Sequence, residues 1–249
     1  MLNYIKAELY RNINRAYLWI ATGICASVCL LLIILMKVSS STVSVGLDTL
    51  LLLTVGVLTL PIFLTIMFLD IAIAEEHKNL TMKNVLAFGL DRKKLVICKF
   101  IVSVILSLIS GIIIMVVLFG VGTIVLGTGK SPASTDVDLF FRILWAAPLW
   151  IGAVSVGTFL CIFIKNSTTF AFLYAGLFLI SPKIFQLLTM FVSKKFEIVY
   201  NNLITTQLEN LAMKNLPNSV EIHGALIGAA YTVVFIILTI IYFKKVEVK

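Results

Sequence analysis

EEHKNLTMKNVLAFGLDRKKLVICK, residues 75–99, is the longest polar interruption in the first half of the chain, with apolar runs at 50–73 and 100–126 on either side. Leu80, Val85 and Phe88 stand apolar among Lys78, Asn79, Lys83 and Asn84. That spacing predicts a short helix with one modest apolar face. Gly89 follows as a C′ residue, where positive φ costs glycine little. Asp91 then stands where an N-cap accepts backbone N–H bonds. Arg92, Lys93 and Lys94 occupy the first turn of the next helix, an unfavourable place for cations because the helix dipole is positive there. Anionic headgroups would favour them. The stretch therefore reads as a cytoplasmic hairpin between two membrane spans.

The rest of the chain fits that setting. Of 249 residues, 60% are hydrophobic and only 13% charged, with a mean hydropathy of +1.09. The charged share is about half that of a soluble domain, so lipid must replace the polar shell. The net charge of +8 does not point to nucleic acid, since the cations cluster at the ends of apolar runs. The first apolar run starts near Tyr17 and has no small-x-small cleavage site, so no cleavable signal is expected. Cys25, Cys29, Cys98 and Cys161 are scattered in or beside apolar runs, which predicts neither disulfides nor a metal site.

About 20 apolar residues cross a bilayer core. Six runs come to that length, at 17–36, 50–74, 95–118, 143–164, 169–192 and 224–243. The fold expected is an all-α membrane protein of six spans in one transmembrane domain. Ahead of them, Leu2, Ile5, Leu9, Ile13 and Ala16 form a stripe, with Lys6, Arg11 and Arg15 off it, the pattern of an interfacial helix over residues 1–16.

Basic residues set the orientation. With the N-terminus inside, the inner segments hold Lys6, Arg11, Arg15, Lys78, Lys83, Arg92, Lys93, Lys94, Lys99, Lys165, Lys244, Lys245 and Lys249. The outer ones hold Lys37, Lys130, Arg142, Lys183, Lys194, Lys195 and Lys214, offset by Asp136, Asp138, Glu197, Glu209 and Glu221. The bias predicts both termini inside. In the outer loop, 193–223, Ile204, Leu208 and Leu211 predict a short amphipathic helix ended by Pro217. Pro182 predicts a kink or break in the fifth run, so a re-entrant outer segment is expected between the fifth and sixth spans. Ser103, Ser107 and Gly111, and Gly224 with Gly228, are small-residue faces of the kind that let helices approach.

Three motifs invite an enzyme reading. Gly127-Thr-Gly-Lys130-Ser131 is similar to the end of a phosphate-binding loop, but Ile124 stands where the first glycine belongs and a span precedes it. Glu75-Glu76-His77 is similar to the glutamate pair of membrane proteases related to prenyl-protein processing. Their pattern is EExxxR with later histidines; here position 80 is leucine, and His223 falls on the opposite side. There is no HExxH. Asp70 is the one acid within an apolar run; ion coupling is the functional reading, and a contact with the hairpin or the N-terminal helix the local one. No chemistry-bearing cluster results, and the chain is expected not to be an enzyme.

A basic interfacial helix, six spans and the run Glu75-Glu76-x-x-Asn79-x-Thr81-x-Lys83-Asn84-x-x-x-x-Gly89-x-x-Arg92-Lys93-x-Leu95-x-x-x-Lys99 resemble the permease subunit of a bacterial type-2 ABC exporter. The likeness is to small permeases for peptide, lantibiotic or toxin export or immunity. It implies two permease copies or paralogues in the plasma membrane, driven by two separate ATP-binding subunits that hold the ATP and Mg. It implies docking of those subunits near Glu76–Phe88, so the expected docking residues are Glu75, Glu76, His77, Lys78, Lys83, Asn84 and Phe88. Arg11, Arg15, Arg92, Lys93 and Lys94 are expected at headgroups. The likeness also implies a pathway lined by spans one, two and five; their apolar and hydroxyl side chains suit a hydrophobic peptide cargo better than an ion. Alternatives are export of lipid, drug or sodium by the same machinery, a membrane immunity or assembly factor that transports nothing, and a membrane-embedded enzyme.

Overall fold

The structure is a computed structural model that describes residues 1–39, 46–75, 90–129, 132–164, 166–213 and 218–245. Among these residues the chain is helical and has no strand. Helix α1 is Leu2–Ile13, α2 Ala16–Ser39, α3 Leu47–Gly56 and α4 Leu60–Leu69, the last continuing as a π-helical stretch, Asp70–Ala74. Helix α5 spans Arg92–Leu126 and is π-helical at Val116–Val121. Then come α6 (Ala133–Trp145), α7 (Ala147–Phe163), α8 (Ser167–Phe191), α9 (Phe196–Asn201), α10 (Ile204–Leu211) and α11 (Asn218–Lys245).

Among the described residues, five helices are long and apolar enough to cross a membrane: Ala16–Val38, Arg92–Leu126, Thr135–Phe163, Ser167–Phe191 and Ser219–Lys245. This is a membrane protein by length and composition. The run expected to be one span at 50–74 is instead two helices, α3 and α4, bent by 70°. Pro61, at the start of α4, has no N–H to continue a helix from α3, but it suits a first turn. Two tight turns close the break: Val57 N–H donates to Thr54 C=O at 3.2 Å, and Leu60 N–H to Val57 C=O at 2.9 Å. Leu58 C=O accepts from the Trp150 indole at 2.9 Å, so a carbonyl freed by the break is not left bare in an apolar setting. Trp150→Phe keeps an aromatic ring, though a smaller one, and removes that donor. It is expected to cost about 1–3 kcal/mol, read as an earlier midpoint when the protein is unfolded in mixed micelles.

Helix α7 is the centre of the bundle. The span Thr135–Phe163, which α6 and α7 share, is 61% buried over its apolar stretch, against 22% for α2 and 17% for α8. Helix α11 runs beside α7 in the same direction, pairing Pro148 and Gly152 with Gly228 and, further on, Phe159 and Phe163 with Phe235 and Tyr242. Tyr174 of α8, wholly buried, donates to Ala153 C=O at 3.2 Å and lies 2.9 Å from Thr65 Oγ1, tying α8 to both α7 and α4.

Other expectations need correcting. The fourth run begins earlier than residue 143: α6 is helical from Ala133, and Asp138 and Arg142, read as loop charges, pair one turn apart at 2.8 Å. Arg142 is buried and donates to Met213 C=O, so it is a packing contact and not a loop cation. Helix α8 continues through Pro182, so of the kink or break expected there the break is absent. The short helix with Ile204, Leu208 and Leu211 buried is present as α10, but Thr205, Thr206 and Gln207 are buried as well. It packs among α7, α8 and α11. Pro217 lies outside the described residues.

Small residues divide into two kinds. A Cβ on Gly228 would lie 2.4 Å from Pro148 O, so the helices approach closely at Gly228, whereas one on Gly224 would make only ordinary contacts at 3.6 Å. Gly111 faces open space, and the Ser103 and Ser107 hydroxyls bond back to carbonyls one turn earlier. Ser103 is wholly buried and Ser107 half-buried, so that stripe is packed at its Ser103 end and open at Gly111.

Candidate functional site

Polar side chains concentrate at the end of the bundle where α1 packs, α4 finishes, α5 and α8 start and α11 ends. Helix α1 lies against α5 and turns Ile5, Glu8 and Asn12 inward, one face at helical spacing. Leu9 and Ile13 are half-buried, while Leu2 is 73% exposed, so the inward line is not the purely apolar stripe read from the sequence.

Lys99, in the second turn of α5, has no exposed surface, and its Nζ lies 2.7 Å from Glu8 Oε2. Arg11 reaches the same oxygen at 2.9 Å. The Tyr4 ring centroid stands 5.8 Å from Lys99 Nζ, close enough for a cation–π contribution. Asn12, also fully buried, finds no hydrogen-bond partner for its amide among the described residues. This cluster was missed in the sequence, where Lys99 counted only as a topology charge. The signal available was a lysine one helical turn inside an apolar run, and an acid on the inward line of the preceding amphipathic helix.

Two anchors bracket the segment 76–89. Arg15, just before α2, pairs with Glu75 at the end of α4. Arg92, in the first turn of α5, donates to Phe243 C=O at 3.3 Å and Lys244 C=O at 3.1 Å, capping the last turn of α11. Asp91 caps α5 by accepting from Lys93 N–H, as its position predicted. Of the expected docking residues, Glu75 is placed by its pair with Arg15. Glu76, His77, Lys78, Lys83, Asn84 and Phe88 lie outside the described residues. Of the expected headgroup residues, Arg11, Arg15 and Arg92 are committed to contacts within the chain, and Lys93 and Lys94 are exposed.

Asp70 is held neither by α1 nor, among the described residues, by another ionised group: its carboxylate accepts from Ser167 Oγ at the start of α8. Gly127 and Gly129 of the loop similar to a phosphate cradle have left-handed backbones, φ 85° and 83°. Gly127 C=O accepts from Leu47 N–H at 3.0 Å, and a Cβ on Gly129 would meet the Asp48 carboxylate at 2.2 Å. These glycines join the end of α5 to the start of α3. No group of three or more His, Cys, Asp or Glu among the described residues is arranged to hold a metal, and all four cysteines are free.

At the opposite end, α7, α8, α10 and α11 surround a cavity of about 220 Å³. Leu177, Phe178 and Phe235 are among its apolar lining, with Ser181, Thr205 and Tyr231 the residues that bring a hydroxyl. Such a space takes hydrocarbon and offers no ligand set for a bare cation.

No family model matches the chain, and no curated protein does so either.

Proposed function

We propose that this chain is the membrane-spanning permease subunit of an ATP-driven exporter, and that it moves a hydrophobic or amphipathic peptide. Two such subunits, identical or paralogous, work with two separate ATP-binding subunits, which carry the ATP and Mg. In this reading the bent pair α3–α4 counts as one crossing, giving six. The end that holds α1 and the last turn of α11 faces the cytoplasm of a bacterial cell.

The observation that carries the reading is the double anchor of the segment 76–89. A motor protein pressing on that segment would load α2 through Glu75 and Arg15, and α11 through Arg92 and the Phe243 and Lys244 carbonyls. Helical elements fixed in this way pass a push into the membrane as a rigid-body tilt. The apolar cavity supports a greasy cargo over an ion. The thinly buried flanks of α2 and α8 leave room for a second copy.

The test is purification of the complex from native membranes. A separate ATPase is expected to come with the chain, to be lost when residues 76–88 are scrambled, and to hydrolyse ATP faster when hydrophobic peptide is added to reconstituted vesicles. Retention of the full complex after scrambling, or the absence of any ATPase from it, would overturn the proposal.

A further inference from the structure

We infer that the junction between the start of α5 and the end of α11 is a binding site for an anionic phospholipid. The site is built from two distant parts of the chain. Arg92, through its bonds to the carbonyls of Phe243 and Lys244, holds the first turn of α5 against the last turn of α11. That contact sets the turn that carries Lys93 and Lys94 beside the turn that carries Lys244 and Lys245, all four exposed and none in an ion pair among the described residues.

The lysines on α11 sit where the helix dipole favours them, but those on α5 sit at a positive helix end. Four cations on adjoining turns repel one another, and the nearby acids among the described residues do little to relieve them. Asp91 is turned to the α5 backbone, Glu75 is paired with Arg15, and Glu8 is buried with Lys99. An external anion restores the balance.

Its chemistry follows from what lies beneath the patch. Ile237, Leu238 and Ile241 of α11 are exposed by 50%, 42% and 49%, and they precede Lys244 and Lys245 at helical spacing. They make an apolar strip that leads up to the cations. A phosphate headgroup on the lysines places its acyl chain along that strip, which favours a lipid over an acidic protein. Basic pockets between membrane helices bind anionic headgroups in this manner. The inference needs only that the chain lies in a bilayer, so it stands or falls separately from the permease reading.

The test uses the whole protein in mild detergent, offered equal amounts of phosphatidylglycerol and phosphatidylcholine with the same chains, with bound lipid counted by native mass spectrometry. Phosphatidylglycerol is expected to be retained by about tenfold or more over phosphatidylcholine. K93Q/K94Q/K244Q/K245Q should abolish the preference, K93R/K94R/K244R/K245R should keep it, and K183Q/K194Q/K195Q should leave it unchanged. On the wild-type protein, short-chain phosphatidylglycerol should compete poorly with the long-chain form, which keeps the test decisive if the glutamine variant does not fold. The inference is overturned by an unchanged preference in the glutamine variant, by equal competition from inorganic phosphate, or by displacement of the lipid by a co-purifying acidic protein.

Discussion

Glu8→Ala is expected to destabilise the protein by about 3–5 kcal/mol, and adding Lys99→Met to the same chain should recover most of that loss. Lys99 is wholly buried and its ammonium meets Glu8 Oε2 at 2.7 Å. With Glu8 gone, Arg11 can swing to water because it is partly exposed, but Lys99 has no such exit. Removing Glu8 takes an anionic partner from a wholly buried ammonium, whose desolvation penalty is then less well compensated. Methionine fills a similar volume without charge, so the double variant removes the penalty together with the attraction. Unfolding midpoints in mixed micelles would measure both variants. A loss below about 1 kcal/mol for Glu8→Ala, the range of exposed pairs, would show that α1 does not seal this lysine from solvent.

Gly228→Ala should do comparable damage by the opposite route, overfilling a contact. The added methyl would lie 2.4 Å from Pro148 O, 2.5 Å from Pro148 C and 2.7 Å from Leu149 N. All three are backbone atoms, so no rotamer change relieves the clash, and α11 must move off α7. Overpacked interiors cost about 1–3 kcal/mol and occasionally more. The upper end is expected here because α7 and α11 form the most extensive helix pair in the bundle. Gly111→Ala, whose methyl meets open space, is the control and should be neutral or slightly stabilising. Equal effects at the two glycines would contradict the packing described.

The same residues show how much was legible in the sequence. Run length located the membrane helices, because about 20 apolar residues satisfy their backbone in lipid only as helix. Ile204, Leu208 and Leu211 located α10, and of the small-residue positions read from the sequence Gly228 alone marks a close approach, one whose partner helix the spacing did not name. The break at residues 57–59 was not legible. Residues 50–74 are uniformly apolar, and Pro61 is as much at home in a first turn as it is disruptive in an interior. The start of α6 was hidden by Asp136, Asp138 and Arg142, which read as loop until the Asp138–Arg142 pair and the Met213 carbonyl account for them. Glu8 with Lys99 was invisible for a different reason: counting lysines as topology signals cannot see a counter-ion 91 residues away. The docking segment is the part on which the functional reading leans hardest, and of its seven expected residues only Glu75 lies within the described chain.

The side of the membrane that segment occupies is therefore the most direct test. Cys25, Cys29, Cys98 and Cys161 would be replaced by alanine, and one cysteine placed at Lys83 or, separately, at Lys194. A membrane-impermeant maleimide should then label position 194 in intact cells and position 83 only after the membrane is permeabilised. Labelling of position 83 in intact cells, with position 194 protected, would put the segment beyond the reach of any cytoplasmic ATPase and contradict the account.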